Sequence, residues 1–262
     1  MRHLRILAAG VLLTALHVAP APAQPGPALP PAVGLPAGAS RLPFREPVAV
    51  GGEAWGPFRR MCMDTRLTYG GRRRPPEKEC LAFVEAVPVP DGTRITAEVP
   101  GGALRVRFDR GLDGRITAVT PLLPAGSVGL GGREQRSLET ILVDNFKTLT
   151  VPPRRVAPGD TVILQDYSVA EVAGAEQFTD MPCTADALAR YRGRRTLVLR
   201  CAYSPAGRNA AVSFAGALQG TALVDLGTGL TLHQHHNIRL EVRRNDGAAS
   251  ETAAGTVTLR LD

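Results

Sequence analysis

The sequence predicts a mainly β protein: duplicated antiparallel sheets forming an open or half barrel or a sandwich, with one amphipathic helix at about 133–149 between the halves. Three observations predict it. The only four cysteines fall into two pairs, Cys62 with Cys80 and Cys183 with Cys201, each with seventeen residues between its members. Both intervals carry a Tyr, then Gly and an Arg run: Tyr69-Gly70-Gly71-Arg72-Arg73-Arg74 and Tyr191-Arg192-Gly193-Arg194-Arg195. Elsewhere apolar and polar residues alternate with period two between Gly- and Asp-containing turns, the pattern of half-buried strands.

The ends and the composition set the frame. Arg2 and Arg5 precede an apolar run from Ile6 to Val18 and the small residues Ala21-Pro22-Ala23. That is the layout of a secretory signal peptide, expected over 1–23. The run is shorter than the ~20 residues that span a bilayer, so no transmembrane anchor is expected. Without this segment 29 basic and 24 acidic residues remain, a net charge of +5. All but two of the 31 basic residues are Arg, the lysines being Lys78 and Lys147. Nucleic acid is not an expected partner, because aromatics are scarce and no recognition motif accompanies the Arg runs. An even cysteine count in an exported chain predicts disulfides, and the repeated spacing selects Cys62–Cys80 and Cys183–Cys201. The expected location is periplasmic or extracellular.

Residues 24–43 are rich in Pro, Ala and Gly and lack apolar periodicity, which predicts a disordered linker. One β-rich domain follows over 44–262, with internal halves 44–124 and 150–262. Strands are expected from Val48, over Leu81–Val89 and Thr93–Val99, and around Leu104, Val106 and Phe108. Asp113-Gly114 then supplies a tight turn before Ile116–Val119. From Arg133 to Leu149, Leu138, Ile141, Leu142, Phe146 and Leu149 share one helical face, and Pro152-Pro153 ends the helix. Further strands are expected over Thr161–Val169, Thr196–Ala202, Ala210–Ala217, Ala222–Asp225, Thr231–Val242 and the alternating C-terminus. Five landmarks recur in order and argue for duplication: Val48/Val156, Cys62/Cys183, Tyr69/Tyr191, Cys80/Cys201 and the turn acids Asp109/Asp225.

Two segments nominate chemistry. His233, His235 and His236 are the only histidines outside the signal segment. On a strand His233 and His235 share one face, and imidazoles at i and i+2 can share copper or zinc, although nothing nominates a further ligand. The second candidate is an anion- or partner-binding set, Arg72, Arg73, Arg74, Arg194 and Arg195, on the two disulfide loops. Nothing resembles a catalytic constellation. There is no Gly-x-Ser-x-Gly, no phosphate loop and no identifiable carboxylate pair, so a non-enzymatic protein without a dedicated cofactor is expected.

The stretches Pro152-Pro153-Arg154-Arg155-Val156-Ala157-Pro158-Gly159-Asp160-Thr161 and Gly220-Thr221-Ala222-Leu223-Val224-Asp225-Leu226-Gly227-Thr228-Gly229-Leu230 carry a resemblance. With the preceding helix pattern, residues 133–262 resemble uncharacterised bacterial exported β-rich half-barrel proteins. These share a Pro-Gly-Asp turn before a strand and an Asp-x-x-Thr-Gly-Leu turn between long strands. Similar proteins include lipid carriers, so the resemblance implies a binding or carrier protein for a hydrophobic or amphiphilic ligand. It assigns no functional residues, since the shared positions are turns. The other two expectations are a cell-envelope structural or interaction protein using the Arg-rich loops, and a metal-binding protein using the histidines.

Overall fold

A computed structural model of the chain describes residues 33–98, 105–122, 150–166, 179–208, 212–244 and 250–262. The signal peptide expected over 1–23 and the helix expected at 133–149 lie outside them.

The N-terminal half folds as a five-stranded antiparallel meander: β3 (Arg60–Tyr69), β5 (Glu77–Val89), β6 (Gly92–Glu98), β7 (Arg105–Gly111) and β8 (Ile116–Leu122). The C-terminal half repeats the arrangement with β11 (Thr179–Tyr191), β12 (Arg194–Tyr203), β14 (Val212–Asp225), β15 (Thr231–Arg244) and β16 (Glu251–Leu261). The meanders join edge to edge through β16 and β3, from Ala253 opposite Tyr69 to Leu261 opposite Met61. Short strands extend this sheet. β1 (Ser40–Leu42) and β10 (Thr161–Asp166) lie end to end on β11, β4 (Arg72–Arg73) lies on β3, and β13 (Ala206–Arg208) lies on β14. β2 (Val48–Val50) and β9 (Arg154–Val156) form a separate two-stranded ribbon. The sheet begins before Phe44, because Ser40–Leu42 pairs with Leu188–Arg190.

The expected architecture is therefore corrected. Both halves belong to one continuous antiparallel sheet that does not close into a barrel, the second sheet is only the β2–β9 ribbon, and the described residues contain no helix. Period-two alternation shows which face of a strand is buried but not which edges pair. β16 and β3 are long edges of matched length, and pairing them satisfies two rows of backbone N–H and C=O groups that would otherwise be open. The landmark Val48/Val156 also changes meaning, since these two residues are cross-strand partners in the ribbon. Asp109 lies on the fourth strand of its meander and Asp225 on the third, so they do not correspond.

The central strands are buried on both faces, which is why β12 reads as a near-continuous apolar run rather than an alternating one. On one face Leu197, Leu199 and Cys201 join Leu218, Ala222, Val224, Ile238 and Leu240 beneath Val50, Val156, Val162 and Leu164. On the other, Val198, Leu223 and Leu232 meet Trp55, Phe58, Phe83, Ile95, Val106 and Phe108. Trp55 packs edge-on against both Phe58 and Phe83, with ring centroids 5.6 and 4.9 Å apart.

Candidate anion-binding cleft and the predicted site residues

Both expected disulfides are present, Cys62–Cys80 and Cys183–Cys201, each between directly opposed residues of a hairpin. The two hairpins also turn alike. Gly70 and Gly71 have φ of 52° and 78°, and Arg192 and Gly193 have 52° and 76°. Positive φ at both central residues defines the tight turn that matches strand twist, which explains the Gly between each Tyr and its Arg run. The equal cysteine spacing hides one displaced residue. In β11 an irregularity between Ala185 and Ala187 lengthens the outgoing strand. In the first hairpin the extra residue lies on the return, where Pro75-Pro76 separates β4 from β5.

The five arginines do not form one site. Arg72 and Arg73 pair with Tyr69 and Thr68, and the Arg74 N–H donates to the Leu67 carbonyl at 2.9 Å. All three side chains are exposed, and none has a carboxylate partner among the described residues. With Tyr69, Gly70, Pro75 and Glu251 they line an open cleft of about 610 Å³. Arg74 stacks 4.5 Å from the centroid of the Tyr69 ring, and Pro75 fixes the backbone immediately after it.

Arg194 and Arg195 lie at the opposite end of the strands. The row through Tyr69 crosses Ala253 and Leu240 to Gly216 on β14. Thr196, beside the second Arg run, opposes Asp225. From Gly216 to Asp225 is about 30 Å along the strand at ~3.3 Å per residue. Arg194 is already committed. Its Nε and Nη2 donate to the two Asp225 carboxylate oxygens at 2.8 and 2.9 Å, and its guanidinium lies over Phe58. Asp225 also accepts from the Thr228 N–H and hydroxyl at 2.9 and 2.7 Å. Burial pushes the Asp225 pKa up, but these donors outweigh it and hold the carboxyl below its usual range. Arg194 is thus a structural cation, and Arg195 is left alone as an exposed one.

The histidines diverge. His233 and His235 project to one face, as expected, with His233 8% exposed and 6.0 Å from the Tyr191 ring. His235 Nδ1 is 2.7 Å from the Thr258 hydroxyl. His236 is buried on the other face, across from Gly220 and 3.4 Å from the Gln234 amide. Strict alternation would put Leu232 on the His236 face, but it packs with Val198 and Leu223, where a register shift interrupts the β14–β15 pairing. Burial, then the charges of His235, Arg260 and Arg192, lower the His233 pKa to about 4. The charges of Arg192 and Arg260 act on His233, and the described residues hold no group of three or more His, Cys, Asp or Glu placed to bind a metal ion. This weighs against the metal-binding reading.

Arg110, next to Asp109 on β7, is a further buried cation that no sequence motif nominates. It is 1% exposed, and its Nη2 donates to the Thr228 carbonyl at 2.8 Å. The signal was present: Arg110 continues the inward alternation of Val106 and Phe108 along β7.

Together these features define a class: an antiparallel protein of one large sheet and a two-stranded ribbon, stapled by two cross-strand disulfides, with an arginine cleft at one end of its strands. No protein-family model matches the chain, and no curated protein matches it.

Proposed function

We propose that this is an exported, non-enzymatic binding protein that engages anionic groups of a cell-envelope polymer through Arg72, Arg73 and Arg74. One observation carries the reading: three consecutive exposed arginines, without carboxylate partners among the described residues, line a single open cleft beside a disulfide-stapled hairpin. Guanidinium groups present forked donors that match phosphate and carboxylate oxygens. Tyr69, with Arg74 stacked 4.5 Å from its ring centroid, holds that guanidinium at the cleft.

The carrier reading has less support. The sheet face available for a lipid-like ligand is occupied by the protein's own Trp55, Phe58, Phe83 and Phe108. The test compares binding of a phosphorylated glycan and its dephosphorylated form by wild type and by the triple variant R72Q/R73Q/R74Q. The expected result is salt-sensitive binding of the phosphorylated form alone, weakened roughly tenfold or more in the variant, since charge-assisted hydrogen bonds are the strong ones. Equal binding of both glycans, or by both proteins, overturns the proposal.

A further inference from the structure

Arg110 is a second cationic site, independent of the cleft. It reaches inward from β7, under the β7–β8 turn. One of its nitrogens, Nη2, is bonded to the Thr228 carbonyl. Its Nε and Nη1 have no acceptor among the described residues. The guanidinium lies 6.0 Å from the centroid of the Trp55 ring, in largely apolar surroundings. Burial lowers its pKa to about 10, so it keeps its charge at neutral pH.

No carboxylate among the described residues bonds to it. Asp113 acts on it only through space, and the Asp113 oxygens are taken by the Arg115 backbone N–H and guanidinium. A buried cation with neither ion pair nor full hydrogen bonding is strongly disfavoured, and a bound counter-ion relieves that penalty. A second buried donor lies close by. The Thr150 hydroxyl also lacks a partner among the described residues. Thr150 and Arg110 Nη2 flank the same glycine, Gly114, where a Cβ would clash with the Thr150 methyl group and come within 3.7 Å of Nη2. Gly114 and Thr150 are themselves half-buried.

We propose that Arg110, with Thr150, binds a small monovalent anion, a carboxylate or a halide, beneath the β7–β8 turn. A single charge balances the single guanidinium. The free Nη1–H and hydroxyl donors suit one compact acceptor, while Nε–H points away from Nη1.

The chain supplies its own reporter, because Trp55 is the only tryptophan and stacks near Arg110. The full chain, dialysed into a buffer of bulky anions, is titrated separately with acetate and with chloride. Trp55 fluorescence and the thermal midpoint are followed. The expected result is a saturable fluorescence change and a raised midpoint with at least one anion, tighter binding by acetate or by chloride deciding between the two sources. Both responses should vanish in Arg110→Met and persist in R72Q/R73Q/R74Q. A non-saturating response, an undiminished response in Arg110→Met, or loss of the response in the triple variant overturns the site. If Arg110→Met does not fold, Arg110→Lys serves: it keeps the charge but loses the planar donor set, so affinity should fall roughly tenfold. Unchanged affinity overturns the proposal equally.

Discussion

His233 is an imidazole packed beside Tyr191 at the same end of the sheet as two positive side chains, Arg192 and Arg260. Its folded pKa of about 4 lies below the ~6.5 of an unfolded histidine. Between those values the unfolded chain binds the proton and the folded chain does not, so stability falls as pH falls through that window. From pH 7 to pH 5 this one residue should remove roughly 2 kcal/mol. Urea unfolding of wild type at the two pH values should show that loss, and His233→Gln should abolish most of it. An equal loss in both proteins would contradict the assignment. The three histidines stood out in the sequence, and the shared face of His233 and His235 followed from strand periodicity. Their depth did not, because it depends on Tyr191, Arg192 and Arg260 from other strands. The same holds for Arg194, whose neighbours in sequence suggested a free cation, while Asp225 lies 31 residues away.

At the level of elements, β14 and β15 fit through paired large and missing side chains. Gly220 opposes His236 and Gly216 opposes Leu240. A Cβ at Gly220 would overlap His236 Cδ2 and fall 2.5 Å from the His235 carbonyl oxygen. Gly220→Ala should therefore destabilise by about 2 kcal/mol or more, the range of overpacked cores. Adding His236→Ala should recover only part, since the carbonyl contact remains. A denaturation midpoint unchanged by Gly220→Ala would refute this fit. The disulfide hairpins were the most legible elements, because cysteines, tight turn and flanking strands are all local in sequence. The cross-strand role of Gly220 was not, since a glycine in a strand signals close approach without naming what approaches.

For the whole molecule the decisive contact is β16 against β3, which joins the last strand of the chain to the first long one. It fuses two meanders into one sheet and leaves their hairpin tips at opposite ends. The repeated cysteine pattern revealed the duplication of the hairpins but not this head-to-tail order, because edge pairing depends on contacts nearly 200 residues apart. As a consequence two similar arginine runs have different surroundings, one locked onto Asp225 and one open around the Tyr69 cleft. The most direct measurement is residue-resolved NMR of the arginine Nε–H and backbone signals during titration with the phosphorylated glycan. The account predicts saturable shifts at Tyr69, Arg72, Arg73, Arg74 and Glu251, with Arg194 and His233 unmoved. Shifts confined to the Arg194 end, or none at the cleft, would contradict it.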